Sequence, residues 1–460
     1  MPTIIVINNC TEQMLGQRLN QRQASFAAKA ALRNVWLARP GDIVVSTATM
    51  PEDFMSYVTR VSSFAAEAGD IAFFRPESDG ALSFILQDEY LARPQLIEAL
   101  RARVTRPEEW SLLACYQTAG TARLQFELGL AKAGGEALGR NFAASMGTNL
   151  LNRKSHFRQL AIGCSLPLPD GAIATSANSL LRAVTELLSV TGRVIVKQDN
   201  GAGGTGNFIL STSPTGPLPG ACACVALPCL RRSDIESELG KLWDEWQAGS
   251  PGPMVVEAYH AATAMFYLEF FIAPEGQAHF MNSGTIRVRP HDDPTISELF
   301  WVGLELPAHL PPATLAEASM HCSRFLQLAA TMGYRGHINI DAIVTENGRL
   351  LFNEVNARWG GGTVLHDLGT RLIGPDFTNT HVAASFRDVP SPSFGRLIKL
   401  LQESQIAYDP AQQQGIVVLA CDDEHSHSFE ALVLARSRDG ARGLEQRLVE
   451  VLESKRAAEG

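Results

Sequence analysis

The sequence lacks any long apolar run and any excess of positive charge. No stretch of it approaches the roughly 20 consecutive apolar residues of a membrane-spanning helix. The opening segment, MPTIIVINN, has neither the basic start nor the cleavage site of a signal peptide. With a net charge of −9, the chain offers no basic surface for a nucleic acid. We therefore expect a cytoplasmic protein whose partners are small molecules, with no membrane or nucleic acid among them.

Two familiar catalytic patterns are absent as well. The first apolar segment, residues 3–8, is followed by a lone Gly16, so no dinucleotide fingerprint follows this predicted strand. No Ser/His/Asp or Cys/His nucleophile motif is recognisable. The eight cysteines are expected to be reduced thiols in a cytosolic chain. Three of them form a C-x-C-x₄-C segment at 222–229, whose spacing matches no zinc pattern.

Length and composition predict several globular domains. A chain of 460 residues is too long for one hydrophobic core, and 45% hydrophobic with 19% charged residues is ordinary for a globular protein. Over residues 1–145, short apolar segments such as 35–38 and 42–46 alternate with helical spacing, which predicts an α/β domain with a mostly parallel sheet. A change of composition predicts a small α+β unit over 386–460.

The most informative pattern lies in residues 333–363. Asn347-Gly348 predicts a hairpin turn between two segments of strand character. Counting six residues outward from each side of this turn places Asp341 almost opposite Glu354, and Asn356 shares a strand face with Glu354. Two carboxylates and one amide oxygen are ligands that suit Mg²⁺ in the company of substrate phosphates. An ordinary hairpin with a solvated acidic face is the alternative.

A glycine-rich loop forms the second pattern, RVIVKQDNGAGGTGN at 193–207. A short strand containing Lys197 leads into the loop, where backbone N–H groups and the lysine charge suit a phosphate. The lysine precedes the glycines, so the segment is not a P-loop. Such a loop alone is weak support for nucleotide binding, whereas the loop followed by the acidic hairpin is much stronger.

Together these segments resemble the ATP-grasp superfamily over residues 146–385. Within it, the segment NEVNARWGGG at 353–362 and the small C-terminal segment are most similar to the pheganomycin-type peptide ligases, which carry a pre-ATP-grasp domain. The resemblance implies a pre-ATP-grasp α/β domain over 1–145, an ATP-grasp domain over 146–385 with its lid at 163–256, and the small α+β unit over 386–460.

The resemblance also implies a set of site residues, with Lys154 inside a predicted helix over 149–162. The residues expected to bind ATP are Lys154, Lys197, Gly203, Gly204, Thr205, Glu257, Ala258 and His260. The residues expected to hold two Mg²⁺ ions, or Mn²⁺ in their place, are Asp341, Glu354 and Asn356. The residues expected to act catalytically on the transferred phosphate are Arg287 and Arg358.

The implied activity is that of a carboxylate–amine ligase. A substrate carboxylate would take the γ-phosphate of ATP, and an amino acid or peptide amine would displace phosphate from the acylphosphate. The product would be a peptide or other amide, made in peptide natural-product biosynthesis. Two alternatives stay open: an ATP-grasp enzyme that uses a thiol or bicarbonate, and a non-catalytic ATP-binding module that regulates a partner. Monomer and homodimer are both open.

Overall fold

A computed structural model describes most of the chain. The described residues are 1–9, 11, 14, 29–63, 70–75, 85–130, 135–201, 206–213, 218–227, 232–249, 251–290, 299–423 and 426–457. The structure confirms the mixed α/β and α+β class, with one parallel sheet and two mainly antiparallel sheets. No helix within these described ranges is long and apolar enough to cross a membrane.

The N-terminal domain contains a parallel sheet in the order β3-β2-β1-β4. Its strands are β1 (Thr3–Val6), β2 (Ile43–Val45), β3 (Ala72–Phe74) and β4 (Ser111–Ala114). Five helices within the described residues belong to this domain, namely α1 (Glu52–Val61), α2 (Asp88–Leu91), α3 (Pro94–Arg103), α4 (Ala119–Glu127) and α5 (Gly135–Ala144). Alternation of apolar strands with helices correctly predicted this arrangement, because parallel strands need crossover connections.

The strand predicted over 35–38 is wrong. Val35–Leu37 forms a 3-10 turn that directly continues the helical residues 29–34. Val35 and Trp36 are fully buried, and the indole N–H of Trp36 donates a hydrogen bond to the carbonyl oxygen of Leu419 at 2.9 Å. The apolar and aromatic residues that suggested a strand therefore serve a contact with a distant part of the chain.

The single helix predicted over 149–162 is also wrong, since it consists of α6 (Gly147–Asn152) and α7 (Lys154–Gly163) with extended Arg153 between them. The lid follows. Its sheet has the order β5-β9-β6-β7-β8 and is covered by two helices. The lid elements are β5 (Gly171–Ala174), α8 (Ala177–Thr191), β6 (Arg193–Gln198), β7 (Asn207–Ser211), β8 (Ala223–Ala226), α9 (Arg232–Gly249) and β9 (Met254–Ala258).

An eight-stranded sheet forms the rest of the molecule, in the order β14-β13-β10-β11-β12-β15-β17-β16. Its strands are β10 (Ala262–Ile272), β11 (Ala278–Pro290), β12 (Leu299–Leu306), β13 (Gly336–Thr345), β14 (Leu350–Asn356), β15 (Val382–Pro390), β16 (Gly415–Asp422) and β17 (Ser428–Ala435). Its helices are α10 (Pro312–Met332), α11 (Gly361–Leu372), α12 (Phe394–Glu403) and α13 (Arg438–Ala457). The strands of the predicted C-terminal unit thus extend the same sheet.

Strand alternation gives the first part of this sheet two different faces. On one face, Phe266 and Ile340 pack against Phe325 of α10 in a common core. On the other face, Met265, Tyr267 and the acidic hairpin line a cavity of about 500 Å³. The cavity extends to the lid strands β6 and β9 and to residues of the N-terminal domain. Residues from all three sheets or their flanking segments therefore enclose one space.

Candidate functional site

The acidic hairpin forms the predicted pair of carboxylates, although the register shifts by one residue between Asp341 and Ala342. Asp341 on β13 pairs with Glu354 on β14, Asn339 pairs with Asn356, and the amide of Asn356 donates a hydrogen bond to Asp341 at 3.3 Å. Burial and the charge of Glu354 raise the pKa of Asp341. For Glu354, burial acts in the same direction, but Lys154, Lys197 and Arg358 outweigh it and lower the pKa.

This arrangement suits a divalent cation, because a cation between Asp341 and Glu354 would relieve their mutual repulsion. The donor set of Asp341, Glu354 and Asn356 is oxygen-only, as Mg²⁺ prefers. Within the described ranges, the hairpin included, no group of three His, Cys, Asp or Glu side chains is placed to hold a metal, so this site would depend on the amide oxygen of Asn356 as its third ligand. No disulfide joins any of the six described cysteines, and Cys10 and Cys229 lie outside the described residues.

Lys154 reaches the acidic pair from the first residue of α7. Its Nζ lies 3.3 Å from Glu354 Oε2 and 3.4 Å from the carbonyl oxygen of Gly201. Asp199, which sequence reasoning missed, fixes the start of this helix. Its side chain accepts from the Ser155 N–H at 2.8 Å, and its carbonyl oxygen accepts from the Lys154 N–H at 3.1 Å. The helix break after Arg153 therefore aims Lys154 at the hairpin.

Glu257 lies within β9 and is paired with two cations. Its Oε1 lies 2.9 Å from Arg158 Nη1, and its Oε2 lies 2.7 Å from Lys197 Nζ. All three side chains are buried. The pairing places the Glu257 carboxylate between the lid and α7, which does not fit the predicted contact with the adenine amino group. Arg158 was missed, although it lies four residues after Lys154 on the same helix, a spacing that brings side chains together.

Of the other residues predicted to contact the nucleotide, some line the cavity and some lie outside the described residues. Ala258 and His260 line the cavity, but the Ala258 N–H already donates to the carbonyl oxygen of Asp170 at 2.8 Å. Burial, and then the charge of Arg349, lowers the pKa of His260. The loop residues Gly203, Gly204 and Thr205 lie outside the described residues. Lys197 lines the cavity beside Glu354.

Arg358 lies next to the acidic hairpin and is positioned by Asn152, which sequence reasoning missed. Asn152 Oδ1 accepts from Arg358 Nη1 at 2.7 Å and from the Ala357 N–H at 3.0 Å. The glycines that follow allow close packing at the start of α11. A side chain on Gly362 would place its Cβ 2.2 Å from the hydroxyl oxygen of Tyr267. The backbone of this turn, the Arg358 guanidinium and the Asp341–Glu354 pair thus meet at one end of the cavity.

A fully buried carboxylate, that of Glu269, stabilises this glycine-rich turn through Thr363. Glu269 accepts hydrogen bonds from Asn282 at 2.7 Å and from the Thr363 hydroxyl, and it lies 2.9 Å from His337 Nδ1. Thr363 in turn accepts from the Gly360 N–H at 2.9 Å. Burial raises the pKa of Glu269, but these partners outweigh it and lower the pKa. Glu269 therefore fixes the first turn of α11.

Arg287 is not brought to the cavity. Its guanidinium makes two contacts with Glu445 of α13, at 2.6 and 2.7 Å, and a third with the carbonyl oxygen of Ser385 at 3.1 Å. Its neighbours Ile286 and Val288 line the cavity instead. The predicted role of Arg287 on the transferred phosphate does not fit this position, because side chains alternate between the two faces of a strand.

Two segments match known family models. Residues 31–130 match the Pre ATP-grasp domain, and residues 396–448 match the PGM1 C-terminal domain. Among curated proteins, none matches the sequence.

Solved structures share the fold over most of the chain. Campylobacter jejuni biotin carboxylase, in a complex with β,γ-ATP, is 14% identical, with 95% of this chain and 88% of that one covered at a TM-score of 0.55. Staphylococcus aureus N5-carboxyaminoimidazole synthetase is 13% identical, with 98% and 97% covered at 0.53. The biotin carboxylase domain of Hydrogenobacter thermophilus 2-oxoglutarate carboxylase is 12% identical, with 94% and 86% covered at 0.53. The chain therefore combines a pre-ATP-grasp domain with the fold of ATP-grasp enzymes.

Proposed function

We propose that the protein is an ATP-dependent carboxylate–amine ligase that works through an acylphosphate. One observation carries this proposal: Lys154, Lys197, Arg358 and the Asp341–Glu354 pair come from separate segments and converge at one end of a cavity. Two lysines and an arginine around two carboxylates are suited to a metal–triphosphate complex. Phosphoryl transfer needs such positioning and charge stabilisation more than it needs a covalent protein group.

The chain's own residues would act in two steps. In the first, Lys154 and Lys197 hold the triphosphate while a substrate carboxylate oxygen bonds to the γ-phosphorus and the bond to the β-phosphate oxygen breaks, releasing ADP. In the second, Arg358 and the turn at Gly360–Gly362 hold the acylphosphate while an amine attacks the acyl carbon. Phosphate leaves with the bonding electron pair, and the amine nitrogen loses a proton. Mg²⁺ bound by Asp341, Glu354 and Asn356 would neutralise developing phosphate charge.

Structural neighbours support ATP and Mg²⁺ as the cofactors. The Hydrogenobacter thermophilus domain was solved with MgADP, ADP and bicarbonate, and one Staphylococcus aureus synthetase structure was solved with ADP. The bicarbonate in the former favours a second candidate, in which bicarbonate takes the place of the organic acid. We infer a peptide or peptide-like amide as the product, and natural-product biosynthesis as the setting, from the resemblance of NEVNARWGGG to the pheganomycin-type ligases.

The test measures ADP release with Mg²⁺-ATP and a panel of amino acids, dipeptides, other carboxylic acids and bicarbonate. Each acid is supplied with an amine pool, or with hydroxylamine, which converts an acylphosphate to a stable hydroxamate. The proposal expects acid-dependent ADP release together with an amide or hydroxamate detected by mass spectrometry. Turnover with bicarbonate alone would favour the second candidate, and nucleotide binding without turnover for any acid would favour the non-catalytic module.

Two substitutions in the same hairpin separate catalysis from folding. Glu354→Gln removes the carboxylate that faces Lys154, whereas Glu346→Gln changes an exposed residue beside the turn. We expect acid-dependent ADP release to fall at least about a hundredfold in Glu354→Gln, since a charged contact to the reacting complex is lost. Glu346→Gln should keep wild-type rates. Equal activity of both variants would refute the proposed metal site.

A further inference from the structure

One wall of the cavity is apolar and takes no part in the site of phosphoryl transfer. It consists of Ile286 and Val288 of β11 and of Trp301 and Leu304 of β12, and we call these four residues the apolar wall. Ile286 pairs with Leu304, and Val288 pairs with Trp301, so the four side chains form one continuous patch. Leu304 is 7% exposed, and the other three are only partly buried. A ligand in the cavity would therefore cover apolar surface here.

The two aromatic side chains at this wall have partners for their polar atoms. The indole N–H of Trp301 donates a hydrogen bond to the carbonyl oxygen of Gly303 at 2.9 Å. The hydroxyl of Tyr267, on the neighbouring strand β10, donates to Asn282 Oδ1 at 2.8 Å. These side chains therefore present carbon and aromatic rings to the cavity. Such a surface favours an apolar group, because a polar group covered by it would lose hydrogen bonds to water.

The wall is fixed before any ligand arrives. Leu304 belongs to the hydrophobic core behind β12, and Ile286 and Trp301 pack against the same core. The guanidinium of Arg387 lies over the Trp301 ring, 4.1 Å from its centroid. A preformed surface loses little conformational freedom on binding, so most of the free energy gained by covering it contributes to affinity.

The apolar wall adjoins the turn that would hold the acylphosphate. A Cβ on Gly361 would lie 3.4 Å from Leu304 Cδ1, which is an ordinary van der Waals contact. The side chain of Leu304 therefore lies directly beside the Gly360–Gly362 turn. A group attached within a few bonds of the reacting carboxyl carbon would reach this wall, because the turn and the wall are in contact.

The segment predicted to bind the nucleotide base lies at another side of the cavity. Residues Ala258–His260 lead directly into β10, and the carbonyl oxygen of Ala261 accepts from the Glu346 N–H at 3.1 Å, beside the end of β13. In the strand order β13-β10-β11-β12, Leu304 and Trp301 are three strands from β13. Neighbouring strands lie about 4.8 Å apart, so this separation is roughly 14 Å across the sheet. A base bound beside β13 would leave the β12 side of the wall open to a second substrate.

We propose that the apolar wall is the side-chain subsite of the acid substrate, which is accordingly a carboxylic acid with a branched aliphatic or aromatic group a few bonds from its carboxylate. This inference rests on the proposed ligase function. The reacting carboxylate would lie between Arg358 and the Gly360–Gly362 turn, and its apolar group would cover Leu304 and its neighbours. The wall residues select the acid and take no part in the bond changes.

The test uses hydroxamate formation, which needs no amine substrate. With Mg²⁺-ATP and hydroxylamine, kcat/KM is compared for L-alanine, L-leucine, L-phenylalanine and L-asparagine, and for the counterparts without the amino group: propionate, 4-methylpentanoate, 3-phenylpropionate and succinamate. Each buried methylene favours binding about fourfold, so three extra carbons should favour the leucine-sized acid of one series roughly fiftyfold over its small member.

Polarity is tested separately from size. L-asparagine and succinamate have nearly the size of the leucine pair but end in an amide, so their kcat/KM should be close to that of the small acids. Equal use of apolar and polar acids of one size would overturn the inference, as would a preference for the small acids.

Substitutions of Val288 locate the preference. Val288→Phe fills part of the subsite, so the ratio of kcat/KM for the large apolar acid over the small one should fall at least about tenfold. Val288→Ala widens the subsite and should shift the preference towards the aromatic acid. The matched control is Val190→Phe in α8, at a position that is 82% exposed, and it should keep the wild-type ratio. Each ratio compares two acids on one preparation, so a partly unfolded variant does not alter it. Unchanged ratios in both Val288 variants would refute the assignment.

The two proposals fail in different ways. Hydroxamate formed from small or polar acids alone would leave the ligase proposal standing and remove this subsite. If no acid gives hydroxamate, binding of the same acids is measured by calorimetry with the Mg²⁺ complex of a non-hydrolysable ATP analogue. Tighter binding of the apolar acids without any hydroxamate would support the subsite and count against the ligase. No binding of any acid would count against both.

Discussion

The substitution Glu257→Gln discriminates most sharply between the two roles open to this residue. Sequence resemblance predicted a contact with the adenine amino group, whereas the structure places the Glu257 carboxylate between Arg158 and Lys197. Glutamine keeps the size of the side chain and its hydrogen-bonding oxygen but removes the charge. The structural role predicts a loss of stability without nucleotide, and an adenine contact predicts a loss of nucleotide affinity alone.

The expected magnitude follows from burial. The side chains of Glu257, Arg158 and Lys197 are 4%, 7% and 7% exposed, so removal of the carboxylate leaves two cations in a poorly solvated place. Breaking a buried ion pair typically costs about 3–5 kcal/mol. Arg158 also donates to the carbonyl oxygens of Pro169 and Gly171, at 3.1 and 2.7 Å, which keeps part of its charge satisfied. We therefore expect a loss near the lower end, about 3 kcal/mol.

Hydrogen exchange measures this loss locally, without requiring the whole chain to unfold in one step. Amide exchange of β6 and β9 is followed by mass spectrometry in the absence of nucleotide. A loss of 3 kcal/mol corresponds to roughly a hundredfold faster opening, since about 1.4 kcal/mol equals a factor of ten. The matched control is Glu238→Gln in α9, where an exposed pair with Lys241 contributes less than about 1 kcal/mol.

Two outcomes are decisive. Faster exchange confined to Glu257→Gln would support the buried pairing. Exchange rates within about threefold of the wild type in Glu257→Gln, accompanied by a weaker affinity for ATP, would refute the argument from burial and restore the adenine contact.

Three further predictions follow from the contacts around the cavity. Asn152→Ala removes the 2.7 Å hydrogen bond that orients Arg358. We therefore expect kcat to fall about tenfold with little change in the KM for ATP, and steady-state kinetics that show a change in KM alone would contradict this expectation. Arg287→Gln breaks the ion pair with Glu445, so thermal stability should fall. The rate of ADP release per folded molecule should change less than about threefold. A hundredfold loss of this rate would instead support the predicted role of Arg287 on the transferred phosphate. Burial raises the pKa of Glu430, but the charges of Arg33, Arg387 and Lys29 outweigh burial and lower the pKa from 4.5 to about 2. The ionised Glu430 therefore contributes about 3 kcal/mol to the free energy of unfolding above pH 4.5, and this contribution is lost as the pH falls towards 2. Unfolding of Glu430→Gln should accordingly depend less on pH than that of the wild type over this interval, and parallel profiles would refute the shift.

The features predicted best from the sequence are those formed by neighbouring segments. The turn at Asn347-Gly348 predicted the hairpin, and Asp341 does pair with Glu354, although a bulge between Asp341 and Ala342 shifts the register by one residue from that next to the turn. Alternating strands and helices likewise predicted the parallel sheet of the N-terminal domain. In both cases the information lies within a few tens of residues, where turn chemistry and hydrophobic period act directly.

Contacts between distant segments were not predictable in the same way. Asn152 and Arg358 are 206 positions apart, and Arg33 and Glu430 are 397 apart. Nothing in the sequence near Asn152 or Arg33 indicates that either residue contacts a segment so distant along the chain. For Lys154, local sequence predicted a helix correctly, but the start of that helix is fixed by Asp199, which directly follows β6, the second strand after Lys154.

The error at Arg287 shows what periodicity can and cannot decide. Alternation along β11 correctly puts Arg287 on the face opposite Ile286 and Val288, but it does not say which of the two faces lines the cavity. That choice depends on what covers each side: α13 supplies Glu445 on one, and the cavity borders the other. Arg387 does line the cavity, although it lies on β15, which follows α11 in the sequence and reaches the cavity only through the order of strands in the sheet. The faces of a strand thus acquire their environments from other segments of the chain, and the sequence of the strand alone does not specify them.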